Sequence, residues 1–122
     1  MKKGFLLMFI TLVTIASSAQ NVTKRIAAYN LEKRVAIQGY DPVGYFKQNK
    51  AVKGKAALAT TYEGVTYYFS SPANKDSFAK NPAGFEPQYG GWCAYAMGSS
   101  AEKVEINPET FKIVEGKLYL FY

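Results

Sequence analysis

The sequence contains no histidine and a single cysteine, Cys93. Without imidazole there can be no Ser-His-Asp or Cys-His arrangement and no zinc site of the usual nitrogen and sulfur kind, because one thiolate does not complete a tetrahedral set. No haem attachment sequence is present either, so ordinary hydrolase and haem chemistry fall away. One thiol also cannot pair within its own chain. Stability must therefore come from apolar and aromatic burial, for which ten Tyr, eight Phe and one Trp are available. Phosphate-cradling glycine loops and dinucleotide fingerprints are missing, and Gly90-Gly91 stands alone. The lysines at 24, 33, 47, 55, 75, 103 and 117 are scattered, without the dense basic run of a nucleic-acid contact, so they read as solvated surface.

What is present begins with a leader. Lys2 and Lys3 give a positive start, residues 5–15 are apolar apart from Thr11 and Thr14, and Ser17, Ser18 and Ala19 supply the small residues of a cleavage site before Gln20. The apolar stretch is about half of the ~20 residues that a helix needs to cross a bilayer, so it reads as a removable signal peptide rather than an anchor. A lipid anchor is disfavoured as well, since no cysteine follows the cut. The expected product is exported, periplasmic or secreted, and not embedded in a membrane. Removing 19 of 122 residues leaves 103, enough for one domain. Removing Lys2 and Lys3 from 15 basic residues leaves 13 against 9 acidic ones, a mild +4.

The expected organisation is a signal peptide over 1–19, an N-terminal arm over 20–29 and one domain over 30–122. Val22, Ile26 and Tyr29 in the arm have helical spacing, but a helix this short needs a docking surface, so the arm reads as loosely held. Val35 and Ile37 alternate with Arg34, Ala36 and Gln38 as in a short strand ended by Gly39. Asp41-Pro42 pairs a capping carboxylate with a proline suited to the first helical position, which predicts a helical turn over 42–46. Residues 57–62 and 65–70 are rich in Thr, Tyr, Val and Phe around Glu63-Gly64 and predict a hairpin. Ser71-Pro72 opens a helix to about Lys80 with Phe78 inward, and Asn81-Pro82 stops it.

Trp92 to Met97 predicts a short helix, 99–103 a loop, and Asn107-Pro108 a further capped turn. Residues 111–114 and 117–122 around Glu115-Gly116 predict a second hairpin. The last strand, 118–122, ends without a polar tail, and an apolar edge of that kind invites pairing with another chain, so either the natural sequence runs further or something covers this edge. The fold class expected is a small α+β domain of two antiparallel β-hairpins with short capped helices.

The run Gly39-Tyr40-Asp41-Pro42-Val43-Gly44-Tyr45-Phe46, joined to Tyr67-Tyr68-Phe69-Ser70-Ser71, Phe78, Asn81-Pro82 and Gln88-Tyr89-Gly90-Gly91-Trp92-Cys93-Ala94-Tyr95-Ala96, resembles an exported YHS domain protein. The resemblance reaches from Asn30 to Tyr122 and implies a treble-clef-like fold. Metal-handling relatives hold their ion through cysteines placed after the second hairpin strand. The equivalent places here resemble Ser70 and Asn74, with Ala73 where a histidine stands, and neither Ser nor Asn replaces a thiolate toward zinc or copper(I). Gly44, Trp92 and Phe121 depart from the Ala, Tyr and Asn usual in the family.

The remaining chemistry is sulfur with phenols. Cys93 and Met97, the only soft donors once the leader is gone, lie four residues apart on one helical face, a spacing that suits copper(I) and equally suits core packing. A nucleophilic Cys93 would need a nearby cation or helix start to lower its pKa. Asp41 is either the cap described above or, with Tyr40, Tyr45, Tyr89 and Tyr95, the lining of a cleft for a small molecule or hard cation, since a phenol offers an apolar ring with one polar tip. The sequence therefore points to an exported binding or accessory module, and the resemblance implies a role linked to a soft metal such as copper, centred on Cys93 with Met97 or Asp41. A protein-interaction or structural domain and a thiol-dependent enzyme are the alternatives, and no reaction is legible.

Overall fold

The computed structural model describes residues 19–122. The charged start and apolar stretch of the expected leader lie outside the described residues. Among the described residues no helix is long and apolar enough to cross a membrane.

The chain opens with helix α1 over 19–28. Strands β1 (Leu31–Glu32) and β2 (Val35–Ala36) follow, then a tight turn at Ile37–Gly39 and helix α2 (Pro42–Lys47). The first long hairpin, β3 (Lys55–Tyr62) and β4 (Val65–Phe69), leads into α3 (Pro72–Lys80) and α4 (Pro82–Phe85). A 3-10 turn at Gln88–Gly91 precedes α5 (Ala94–Ser100), and the second hairpin, β5 (Asn107–Val114) and β6 (Lys117–Phe121), closes the domain. The architecture is α+β, with two hairpins and short helices as the sequence predicts. One sheet has the order β1-β2-β4-β3 and the other is the β5-β6 pair. Val35 pairs in parallel with Thr66, which sets β2 against β4.

Alternation sets the core. Val65, Tyr67 and Phe69 of β4 and Leu118 and Leu120 of β6 point inward and are fully buried, while their neighbours in sequence are not. Phe78 of α3 fills the space over β4, with ring centroids 4.9 Å from Tyr67 and 5.1 Å from Phe69. Two of the expected caps form. Asp41 accepts from the N–H of Val43 and Gly44 at the start of α2, and the Ser71 hydroxyl accepts from the N–H of Asn74 at the start of α3.

Three local expectations are corrected. The strand at 35–37 stops at Ala36, because Ile37, Gln38 and Gly39 all turn into the left-handed region, with φ of 57°, 53° and 84°. The last short helix runs on to Ser100, which takes two residues from the predicted loop. Asn107-Pro108 opens β5 instead of capping a helical turn; the Asn107 side chain accepts from the N–H of Glu109, which imitates a cap locally, while the hairpin claims the backbone. The edge of β6 away from β5 is covered in part, as Leu118 bridges Pro87.

The arm is not loosely held. Val22 and Ile26 of α1 lie over Gly64 in the β3-β4 turn, so closely that a Cβ there would come within 2.7 Å of Val22. The Trp92 indole N–H donates to the carbonyl of Ala28 at 2.8 Å, and the Asn30 N–H donates to that of Gly90 at 2.9 Å. Docking supplies what a ten-residue helix cannot find alone.

Gly54 marks the tightest approach between loop and strand. A Cβ at this position would stand 2.5 Å from the Tyr68 carbonyl carbon and 2.6 Å from its oxygen, against backbone that cannot yield. Gly54→Ala is expected to cost about 2 kcal/mol, the usual scale of overpacking. Thermal unfolding should show this as a midpoint roughly 10 °C lower; an unchanged midpoint would contradict the packing described.

Candidate functional site

Cys93 sits at the position just before α5, its backbone pinned on both sides. Its N–H donates to the Val104 carbonyl at 2.9 Å, and its own carbonyl accepts from Met97 at 3.0 Å. The side chain belongs to the core cluster and is 4% exposed. Burial acts to raise the thiol pKa, but the peptide N–H groups of Ala96, Tyr122 and Tyr95 act on the sulfur in the opposite sense, and the net direction is downward. These N–H groups do not cap the helix through a hydrogen bond of standard geometry, so their influence is that of nearby dipoles. Met97 follows one turn later, half-buried. The sequence put both sulfurs on one short helix, whereas the contribution of Tyr122, 29 residues away, comes from the packing of β6 against α5.

The five residues expected around a cleft do not face one opening. Asp41 and Tyr45 are fully buried. The Tyr45 hydroxyl donates to the Pro108 carbonyl at 2.7 Å, and burial, with Tyr40, Asp41 and Glu109 nearby, pushes its pKa upward. Both Asp41 oxygens are engaged. One accepts from the N–H of Val43 and Gly44 at the start of α2, and the other from the N–H and O–H of Ser70 and from the Asn74 amide. Tyr40 is half-buried beside them. Tyr89 instead lies against Tyr119 of β6, with ring centroids 6.3 Å apart, and Tyr95 projects outward, 75% exposed. A surface pocket of about 250 Å³ exists elsewhere, lined by Glu32, Lys33, Val35, Gln38, Gly39 and Tyr68, none of which the sequence marked as a site residue.

Sequence reasoning missed a second polar cluster. Arg25 of α1 donates to Glu86 at 2.7 Å and to the Tyr29 hydroxyl at 3.0 Å, while the Tyr67 hydroxyl donates to the same Glu86 oxygen at 2.7 Å. The guanidinium also stands 4.6 Å from the Tyr29 ring centroid and 5.5 Å from that of Tyr62. Burial works against its charge, yet the hydrogen bond and attraction of Glu86 outweigh it and raise the Arg25 pKa. Nothing local marks Glu86 as buried. Among the described residues no three His, Cys, Asp or Glu side chains gather as a metal-holding group.

Residues 43–89 match the family model described as the YHS domain. The span runs from α2 through the first hairpin, α3 and α4 into the turn at Tyr89, and leaves Cys93 and Met97 just beyond it. No curated protein and no solved structure matches the chain.

Proposed function

This chain carries a YHS domain, and on that footing we propose that it serves as an exported binding or accessory module without a reaction of its own, taking up a soft metal ion such as copper(I) through the Cys93 thiolate with Met97 as second donor. The observation that supports this is the place of Cys93 at the start of α5, where nearby peptide dipoles hold the thiol below its ordinary range and Met97 follows one turn later. Such dipoles favour the thiolate, which is the form that ligates. A thioether one helical turn away completes the soft, two-donor environment that copper(I) accepts and that hard cations decline. The sequence has no imidazole to act as a general base for the thiol, which favours binding over catalysis. Periplasmic or secreted placement follows from the leader reading and belongs to the same proposal.

Competition with a chromophoric copper(I) chelator under reducing conditions tests it. The mature protein is expected to take up one equivalent, Cys93→Ser none, and Met97→Leu to bind roughly tenfold more weakly, the effect of ~1.4 kcal/mol in lost ligation. Equal uptake by wild type and Cys93→Ser, or no uptake by either, rejects the proposal. A second reading, a protein-interaction domain, draws on Tyr95 and Tyr122, which stand 75% and 84% exposed. Under that reading Tyr95→Asp weakens a complex and leaves copper uptake unchanged.

A further inference from the structure

Ser70 and Asn74 occupy the places where the resemblance sets metal-holding cysteines, and in the folded chain both turn toward Asp41. Every group that meets this carboxylate is a donor. The N–H of Val43 at 2.8 Å and of Gly44 at 3.3 Å reach one oxygen. The N–H of Ser70 at 2.8 Å, its O–H at 2.7 Å and the Asn74 amide at 2.8 Å reach the other. The Asn74 amide is also shared, at 3.4 Å, with the Gln48 side chain. Among the described residues no lysine or arginine pairs with Asp41, so its charge is met wholly by these hydrogen bonds.

A metal centre needs the reverse arrangement, with lone pairs aimed at a central cation. We infer that this chain has replaced a cation-centred junction by an anion-centred one: Asp41 is a buried hub that ties the start of α2, the end of β4 and the first turn of α3, and the junction holds no metal ion. The physical logic is the same in both arrangements, since one central charge organises groups from separate segments and makes their geometry mutually dependent. The sign differs, and with it the ligand chemistry. N–H and O–H groups already directed at the Asp41 carboxylate occupy its lone pairs and bring positive dipole ends toward it. This inference stands apart from the copper reading at Cys93, which neither requires nor excludes it.

The test uses the mature protein in a Cys93→Ser background, so that any copper held by sulfur does not enter the result. Elemental analysis is expected to find no stoichiometric metal, and neither a chelator nor added zinc should shift the melting temperature. Asp41→Asn, which turns one acceptor oxygen into a donor facing donors, is expected to lower that temperature by on the order of 10 °C or more. Should that variant fail to fold, Ser70→Ala provides the milder probe, because it keeps the peptide N–H and removes only the O–H; a fall of about 5 °C is expected. Metal retained at one equivalent and lost on Ser70→Ala, a melting point lowered by the chelator, or a Ser70→Ala protein as stable as its parent would each overturn the inference.

Discussion

Glu86→Ala is expected to lower the melting temperature by roughly 15 °C or more and to release α1 from the domain. Two partners lose their acceptor at once. The Tyr67 hydroxyl is fully buried and has nowhere else in the core to donate, so it carries the full desolvation cost of an unmade hydrogen bond, about 1–3 kcal/mol. Arg25 loses its shortest contact, and breaking such a partly buried pair by removing one member brings the total to on the order of 3 kcal/mol. Because Arg25 is the ionic tie between α1 and the body of the domain, the loss has a location as well as a size. Amide hydrogen exchange over 19–28 should rise in the variant beyond its rise elsewhere. Glu86→Gln, which keeps an acceptor for Tyr67, should fall between the two. A Glu86→Ala protein that melts within a few degrees of wild type would show that the cluster does not hold the helix.

Above pH 10 the protein is expected to lose about 5 kcal/mol of stability by pH 12 through two phenols alone. Burial is the leading reason that Tyr45 and Tyr67 hold their protons above the ordinary phenol value of 10.0. The charge of Glu86 and the hydrogen bond to it add to the effect at Tyr67. Tyr40, Asp41 and Glu109 add to it at Tyr45. An unfolded tyrosine ionises near 10 while the folded one stays neutral, so above that pH the unfolded state binds fewer protons and stability falls as pH rises. The contribution is intact below pH 10 and is lost progressively toward the higher folded pKa, at ~1.4 kcal/mol per pH unit for each phenol. Urea unfolding at pH 8, 10, 11 and 12 measures the slope. Tyr45→Phe should remove about half of it, at the cost of one hydrogen bond to Pro108 at neutral pH. A stability profile that stays flat from pH 10 to 12 would contradict the burial of both hydroxyls.

The two candidate locations fared differently because of what surrounds them. At Asp41 the cap was readable from the Asp-Pro pair, but the second oxygen belongs to Ser70 and Asn74, 29 and 33 residues away. Nothing in the local pattern announces that distant use, and it turns a proposed cleft residue into a buried hub. At Cys93 the short helix and the nearby Met97 were readable, and the added dipole from Tyr122 was not. Tyr89 and Tyr95, read as equals of Tyr45, differ from it in exposure because their helix and turn face outward while α2 faces the sheet.

By itself the sequence determined the elements whose signals act over a few residues: the Glu63-Gly64 and Glu115-Gly116 turns, the caps at Asp41 and Ser71, the inward face of β4 and the absence of any histidine chemistry. These depend on backbone preference and on the alternation of apolar side chains, which travel with the chain wherever it folds. Only the tertiary structure decided which polar groups meet, joining Arg25 to Glu86, Asp41 to Ser70 and Asn74, and the peptide of Tyr122 to Cys93. Such partners are chosen by how hairpins and helices stack, and a buried charge is tolerated only where that stacking delivers donors or a counter-ion to it.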